Sequence, residues 1–320
     1  MIGRALSSAV CQIRPGDEIL VIDDGSTDGT EDIVRTFGPQ VQLIKKKRIG
    51  AGRARNSGVE AARGDLVAFL DSDDEWMPGK LSLQRAYLER NSAVLFCFSN
   101  FAITTQNHTV RRNFLVNWHQ DPRPWDEILG PGESYSLTAD LPAESADFKV
   151  HVGDLYAAEM AANYIFTSTL MVRRIEAGDS LHFGEELPTY EDWECFGRLA
   201  RKGPAAYFDV ETAWQHSHAG PRLTDASLEV SAWTRLQVLE RVWGADAQFQ
   251  ETHGKWYRGV CQEQHLIRVK AFLAQGLMAK AKVEMKTLLE VPVAIRVLSS
   301  LPSPLVRTAI GLRRLLTAGR

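Results

Sequence analysis

Short apolar runs closed by acidic turns recur through the first hundred residues. Glu18-Ile19-Leu20-Val21-Ile22 runs into Asp23-Asp24-Gly25-Ser26 and reads as a buried strand followed by a turn. Asp28-Gly29-Thr30-Glu31 then opens a helix, its Asp and Glu spaced three apart as in a capping box. Val41–Ile44 reads as a second strand, and Arg53–Ala62 as a helix closed by Gly64 at its C′ position. Leu66–Leu70 reads as a third strand, ending in Asp71-Ser72-Asp73-Asp74. Pro78 stands where proline opens a helix, predicted over Gly79–Arg90, and Ala93–Phe98 is a fourth strand. Strands alternating with helices predict an α/β fold with a mostly parallel central sheet and helices on both faces.

The pattern then loosens. Residues 104–160 carry loop signals, Asp121-Pro122-Arg123-Pro124 and Gly130-Pro131-Gly132. Tyr164–Val172 is strand-like, Tyr190–Arg201 helix-like, and Ala205–Val210 a short strand. Beyond about residue 225 the period is helical. Leu236, Leu239, Val242 and Trp243 share one face, and Ile267, Phe272, Leu273 and Leu277 another. These periods predict an α/β domain over 1–225 and a helical extension over 226–320.

Composition narrows the class. The chain has 320 residues, 44% of them hydrophobic, with 37 Lys plus Arg against 40 Asp plus Glu and a net charge of −3. That is too apolar and too weakly charged for disorder, and too balanced for a nucleic-acid binder. The longest apolar run, Ala93–Phe98, is far shorter than the roughly 18 residues of a membrane span. The N-terminus lacks the apolar core of a signal peptide. Cys11, Cys97, Cys195 and Cys261 form no CxxC pair and read as reduced thiols, so the expected location is cytoplasmic. Val291–Arg320 carries five arginines, no acid and interleaved leucines. It reads either as a helix packed on the domain or as a basic amphipathic helix giving peripheral contact with an anionic membrane.

The candidate chemistry sits at the strand ends. In an open α/β sheet, ligands bind outside the carboxyl ends of the strands, where Asp23-Asp24 and Asp71-Ser72-Asp73-Asp74 fall. Carboxylates gathered there require a cationic counterpart, and Mg²⁺ or Mn²⁺ carrying a diphosphate supplies one. Taken singly, such aspartates are more often turn formers or caps. Gly50-Ala51-Gly52 begins like a dinucleotide fingerprint but has Arg55 at the third glycine position, so that reading fails. Arg53 and Arg55 at a helix entrance remain candidates for a nucleotide or its phosphates.

Three blocks carry a family likeness: Val21-Ile22-Asp23-Asp24-Gly25-Ser26-Thr27-Asp28-Gly29-Thr30, Gly52-Arg53-Ala54-Arg55-Asn56-Ser57-Gly58, and Gly64-Asp65-Leu66-Val67-Ala68-Phe69-Leu70-Asp71-Ser72-Asp73-Asp74. In letters, order and spacing they resemble the family 2 glycosyltransferases of the GT-A fold. Tyr190-Glu191-Asp192-Trp193-Glu194 resembles the later acidic motif of that family, and the likeness covers roughly residues 1–220. Members normally begin with a strand that walls the nucleotide pocket. This chain opens on what looks like the following helix, around Gly3–Cys11, as expected of a start assigned too late or of a degenerate relative.

The resemblance implies inverting transfer from a nucleotide-diphospho-sugar, most simply a UDP-sugar, to a saccharide or lipid-linked acceptor in polysaccharide, O-antigen or glycolipid assembly. It implies a donor-binding half over about 1–100 and an acceptor half over about 101–225. Asp23 or Asp24 would contact the base or ribose, Arg55 would lie near the base, and Asp71 would hold the ribose. Asp73 would bind the Mg²⁺ or Mn²⁺, and Asp192 would be the general base. Glu191 would hold the acceptor or orient its loop. Trp193 would stack on an acceptor sugar or pack in the core. His216 and His218 lie where a segment closing over the diphosphate is expected, His218 being the stronger candidate for a contact to metal or phosphate. The competing readings are a sugar nucleotidyltransferase and a catalytically inactive nucleotide-sugar-binding paralogue.

Overall fold

A computed structural model describes residues 1–142, 145–217, 220 and 225–306. Two compact units emerge, one of Met1–Glu186 and Glu191–Gly220, the other of Leu187–Tyr190 and the described residues beyond Gly220.

The first unit opens on α1 (Ile2–Val10), which forms because Ala5, Leu6 and Ala9 fall on one face and bury it. Then follow β1 (Ile19–Asp23), α2 (Thr30–Arg35), β2 (Val41–Lys45), α3 (Ala51–Ala61), β3 (Leu66–Ala68), β4 (Asp74–Trp76), α4 (Lys80–Arg90) and β5 (Phe96–Thr104). Two helix boundaries differ from expectation. Helix α3 ends by turning extended at Ala62, so Gly64 is not its cap. Helix α4 starts from Gly79 in a left-handed conformation, so Pro78 precedes the helix rather than opening it.

The irregular middle condenses into short elements: β6 (Val110–Arg111), α5 (Leu115–His119), α6 (Trp125–Ile128), β7 (Glu133–Ser134), α7 (Tyr135–Thr138), β8 (Lys149–Gly153) and α8 (Tyr156–Ala161). The strand-like stretch from Tyr164 does not form a strand along its length. Thr167–Thr169 makes a 3₁₀ turn, and only β9 (Met171–Arg173) pairs. The Thr169 amide and hydroxyl both donate to the Phe166 carbonyl, a local bonding pattern that competes with a ladder. The unit closes with α9 (Arg174–Ala177), α10 (Glu191–Lys202) and β10 (Ala205–His216).

The main sheet has the order β3-β9-β5-β10-β8-β7, with β4 on β10 and β6 on β5. The expected α/β class holds, but the sheet is mixed rather than mostly parallel. Within it β5 and β10 run parallel, and the other pairings are antiparallel. Strand–helix alternation persists only to β3. Beyond it most antiparallel neighbours are distant in sequence, β9 lying between β3 and β5, and β10 beside β8 and β4. Strands β1 and β2 form a separate parallel pair. The core is aromatic: Phe96, Phe98 and Phe101 of β5 and Phe208 of β10 are fully enclosed, and Trp125 stacks on Tyr207 with centroids 3.7 Å apart.

The second unit is helical: α11 (Leu228–Leu239), α12 (Ala247–Gln275), α13 (Met278–Met285) and α14 (Val293–Ser300). Asp246 caps α12 by accepting from the Phe249 amide at 3.1 Å, and Gly276 ends it in the left-handed region. Val269, Phe272, Leu273, Ala281 and Ile295 form its core. Leu277 departs from the expected apolar face because it follows that turn and is 37% exposed. Of the expected basic terminal helix, Val293–Ser300 is helical, and residues 307–320 lie outside the described residues. Among the described residues no helix is long and apolar enough to cross a membrane.

Candidate active site

The carboxyl ends of β1 and β3 each deliver an acidic turn. Asp23 is buried, and its Oδ1 accepts from the Ser26 amide at 2.9 Å. Bonding from the Ser26 hydroxyl, and less so from its amide, holds its carboxyl below the ordinary aspartate value, against the opposing effect of burial. Asp24 turns the other way. Its two oxygens accept from the amides of Ile49 and Gly50 at 2.6 and 2.8 Å, fastening β1 to the start of α3. Gly50 has φ 93°, a left-handed value that glycine adopts without strain.

The second turn is built on Ser168. Its hydroxyl donates to Asp74 Oδ2 at 2.5 Å and accepts from the Asp71 amide at 3.1 Å. The Asp74 amide donates to the Asp71 carbonyl at 3.0 Å, closing the turn that carries Asp71 and Asp73. Arg4 Nη2 braces the same turn from α1, donating to the Asp73 carbonyl at 2.7 Å. At the edge of this turn His216 Nε2 lies 3.0 Å from Glu75 Oε2. His218 lies outside the described residues.

Arg55 joins this turn to the later acidic motif. Its Nη2 donates to both oxygens of Asp71 at 2.9 and 3.1 Å, and its Nη1 donates to Glu191 Oε1 at 2.7 Å. The approach of α3 to α10 depends on Gly52, where an added Cβ would lie 2.1 Å from the Gly184 carbonyl and 3.4 Å from Glu191 Cβ. Asn56, one residue beyond Arg55, donates to the Phe183 carbonyl at 3.0 Å and accepts from its amide at 2.8 Å. Sequence reasoning assigned no role to Gly52, Asn56 or Ser168. The first two lie in a quoted motif, and a buried Asn inside a helix was a usable signal. Ser168 lies in a stretch without a motif.

Asp192 is the neighbour of Glu191 at the start of α10. Its Oδ1 accepts from the Trp193 amide at 2.7 Å, and Thr167 Oγ1 lies 3.3 Å from its Oδ2. Burial and the adjacent Glu191 push its carboxyl up to about 7, against the attraction of Arg55. Arg55 is itself driven further into its charged form. Burial opposes its charge, but Asp71, Glu191 and Asp192 outweigh burial. Behind them Glu159 is fully buried, with Oε2 accepting from the Tyr164 amide and Oε1 unpartnered. Burial raises its carboxyl well above the usual range, against the Tyr164 amide that it accepts from. Trp193 is 1% exposed and its indole donates to the Glu159 carbonyl at 2.8 Å. Of the two readings for this side chain, that geometry is the core-packing one.

Asp23, Asp24, Arg55 and Asp71 line one cavity of about 1230 Å³. Among the described residues no group of three or more His, Cys, Asp or Glu side chains is arranged to hold a metal with protein ligands alone. The donor chemistry of the Asp71–Asp74 turn still fits a hard divalent cation. Mg²⁺ takes one or two carboxylates and completes its shell with phosphate oxygens and water.

The fold is that of the GT-A glycosyltransferases. The solved structure of S. aureus TarS 1–349 in complex with UDP-GlcNAc superposes with a TM-score of 0.60 over 93% of this chain and 79% of that one, at 17% identity. Residues 1–139 match the family model Glycosyl transferase family 2. Over 100 residues it is 39% identical to WfaP of Escherichia coli, a UDP-Glc:alpha-D-GlcNAc-diphosphoundecaprenol beta-1,3-glucosyltransferase, a match covering 31% of this chain and 39% of that protein. It is 27% identical over 316 residues to the succinoglycan biosynthesis protein ExoO of Rhizobium meliloti (strain 1021), covering 92% of this chain and 79% of ExoO. The chain spans less than half the length of the first curated relatives it matches.

Proposed function

We propose that the chain is an inverting, divalent-metal-dependent glycosyltransferase. It moves a sugar from a nucleotide-diphospho-sugar to a hydroxyl of a saccharide or lipid-linked acceptor during polysaccharide or glycolipid assembly. The observation that carries this reading is the Arg55 bridge. It ties the Asp71 turn, on the donor side, to Glu191 and Asp192 on the acceptor side. The likeness to WfaP, a UDP-Glc transferase by name acting on a diphosphoundecaprenol-linked sugar, supports a UDP-sugar donor and a lipid-linked acceptor.

In this reading Asp23 or Asp24 contacts the base or ribose, and Asp71 holds the ribose. Asp73 would hold Mg²⁺ or Mn²⁺, which when bound neutralises charge on the leaving diphosphate. Asp192 takes the proton of the acceptor hydroxyl as the new C–O bond forms at the anomeric carbon. The bond to the diphosphate breaks in the same displacement, and its electron pair leaves with the phosphate oxygen. A base works best when its pKa lies near the working pH, and Asp192, pushed up to about 7, meets that condition. Glu191, locked by Arg55, fixes the start of α10 and so the aim of Asp192.

A second reading, nucleotide-sugar binding without turnover, is favoured by one observation: among the described residues no strand pairs with the second edge of β1, which leads into Asp23 beside the site. One experiment separates the two. The protein is incubated with UDP-glucose, UDP-N-acetylglucosamine or GDP-mannose and Mn²⁺, and nucleoside diphosphate release is measured. Release above the metal-free control supports transfer. Saturable donor binding without release supports the second reading.

A further inference from the structure

Lys80 and Gln84 stand one turn apart on α4, and both are fully buried. Among the described residues Lys80 meets no carboxylate. Its Nζ donates to Gln84 Oε1 at 2.5 Å and lies 4.6 Å from the centre of the Trp76 ring. Burial pulls its ammonium down to about 7, against a weaker attraction from Cys97. A lysine enclosed without an acid partner is costly, and an apolar side chain of similar length would pack there without that cost. Packing alone does not explain its presence.

Its hydrogen-bonding chemistry does. An ammonium donates and cannot accept, so Gln84 must turn its carbonyl oxygen toward Nζ. That choice aims the Gln84 NH₂ the other way, at the Thr169 carbonyl, to which Nε2 donates at 2.7 Å. The same Nζ is drawn to the face of the Trp76 indole and so fixes the plane of that ring. Trp76 Nε1 donates to the Ser168 carbonyl at 2.8 Å. Two consecutive carbonyls of the 3₁₀ turn are thus gripped by two side chains that both rest on Lys80. The Ser168 hydroxyl, carried on that turn, donates to Asp74 Oδ2 and accepts from the Asp71 amide. Every link from Lys80 to Asp74 is buried.

We propose that Lys80 is the positioning residue of the Asp71–Asp74 turn. It acts through Gln84 and Trp76 on Ser168, and it holds the turn in one conformation at some cost in folding stability. Supporting hydrogen bonds of this kind fix the aim of the groups that meet a ligand. In the function proposed above, those groups are Asp71 for the ribose and Asp73 for the metal. The effect on donor binding rests on that reading, whereas the positioning does not.

The test compares the parent with Lys80→Met and Gln84→Leu, each in the full chain at neutral pH. Hydrogen–deuterium exchange is followed at the Asp71 and Asp74 amides, with Phe96–Phe101 of β5 as the internal reference. UDP affinity is measured with Mn²⁺, and the melting temperature is recorded alongside. In Lys80→Met the expected result is exchange at least about tenfold faster at Asp71 and Asp74, with β5 unchanged. Its melting temperature equals or exceeds that of the parent, while UDP affinity falls at least about tenfold. Gln84→Leu, which removes one arm and keeps the lysine, also quickens exchange at the turn, and it decides the matter if Lys80→Met does not fold. The proposal is overturned if exchange at the turn stays within about twofold of the parent. It is also overturned if exchange quickens alike through β5 as the melting temperature falls, the behaviour of a merely structural residue. A loosened turn with parent-like UDP affinity overturns the link to donor binding. A parent that binds no UDP with Mn²⁺ contradicts the donor reading alone, and the exchange result still decides the positioning.

Discussion

Arg55 and Glu191 stand 136 residues apart in sequence and meet at 2.7 Å, Nη1 donating to Oε1. Glu191 is almost wholly enclosed and Arg55 nearly so, so the pair is little screened by water. Removing one member of such a pair leaves the other buried and uncompensated, a loss of about 3–5 kcal/mol. Arg55→Ala is therefore expected to lower stability by that order in a denaturant melt. Glu191→Gln added to Arg55→Ala restores a substantial part. If the double variant is no more stable than Arg55→Ala, the ion pair does not tie the two motifs together.

The position of Asp192 predicts a pH dependence with a definite sign. The unfolded chain releases this proton near the ordinary aspartate value of 3.8, whereas the native protein keeps it to about 7. The native state binds the extra proton between those values, so this group's contribution to stability falls as pH rises through that window. Asp192→Asn abolishes the effect. Its melting temperature should gain on the parent as pH rises from about 4 to 7, then hold a constant lead. In the parent, kcat/KM for transfer should climb through pH 7 as the base is freed.

Gly52 controls how closely α3 approaches the loop before α10. A Cβ there meets the Gly184 carbonyl at 2.1 Å, and backbone cannot rotate away as a side chain can. Gly52→Ala should cost about 1–3 kcal/mol, and it should depress turnover by more than the fraction unfolded. Parent-like activity in the folded fraction would show that the spacing of Arg55 and Glu191 is not critical.

Trp193 separates packing from recognition. Its indole N–H donates to the buried Glu159 carbonyl, so Trp193→Phe orphans that oxygen and should destabilise by about 1–3 kcal/mol. The acceptor KM should stay unchanged. A KM increase of about tenfold or more with unchanged stability would return this residue to the acceptor surface.

Much of the donor half was legible in the sequence, because its elements are local. The strands at Ile19 and Val41 and the helix through Arg55 follow from periodicity and turn residues, and their acidic ends follow with them. Sheet direction was not legible beyond Ala68. The pairings that set β9 antiparallel to β5, and β8 antiparallel to β10, join segments distant in sequence, and no periodic signal reports them. The stretch before Met171 read as a strand because its residues are apolar and β-branched, but the Thr and Ser hydroxyls there bond locally, and Ser168 builds the Asp71 turn instead. The partner of Arg55 was equally hidden. Tertiary packing alone brings Glu191 to it, and the resemblance pointed to a nucleotide base in that place. Asp24 likewise reads as a ligand residue, while its carboxylate is occupied by two backbone amides.

The most direct test of the account sets Asp192→Asn beside the parent. UDP binding is measured by calorimetry with Mn²⁺, and sugar transfer by nucleoside diphosphate release. The account predicts UDP affinity within about twofold of the parent and transfer reduced by at least about a hundredfold, the scale of a lost general base. Full transfer by Asp192→Asn would contradict it.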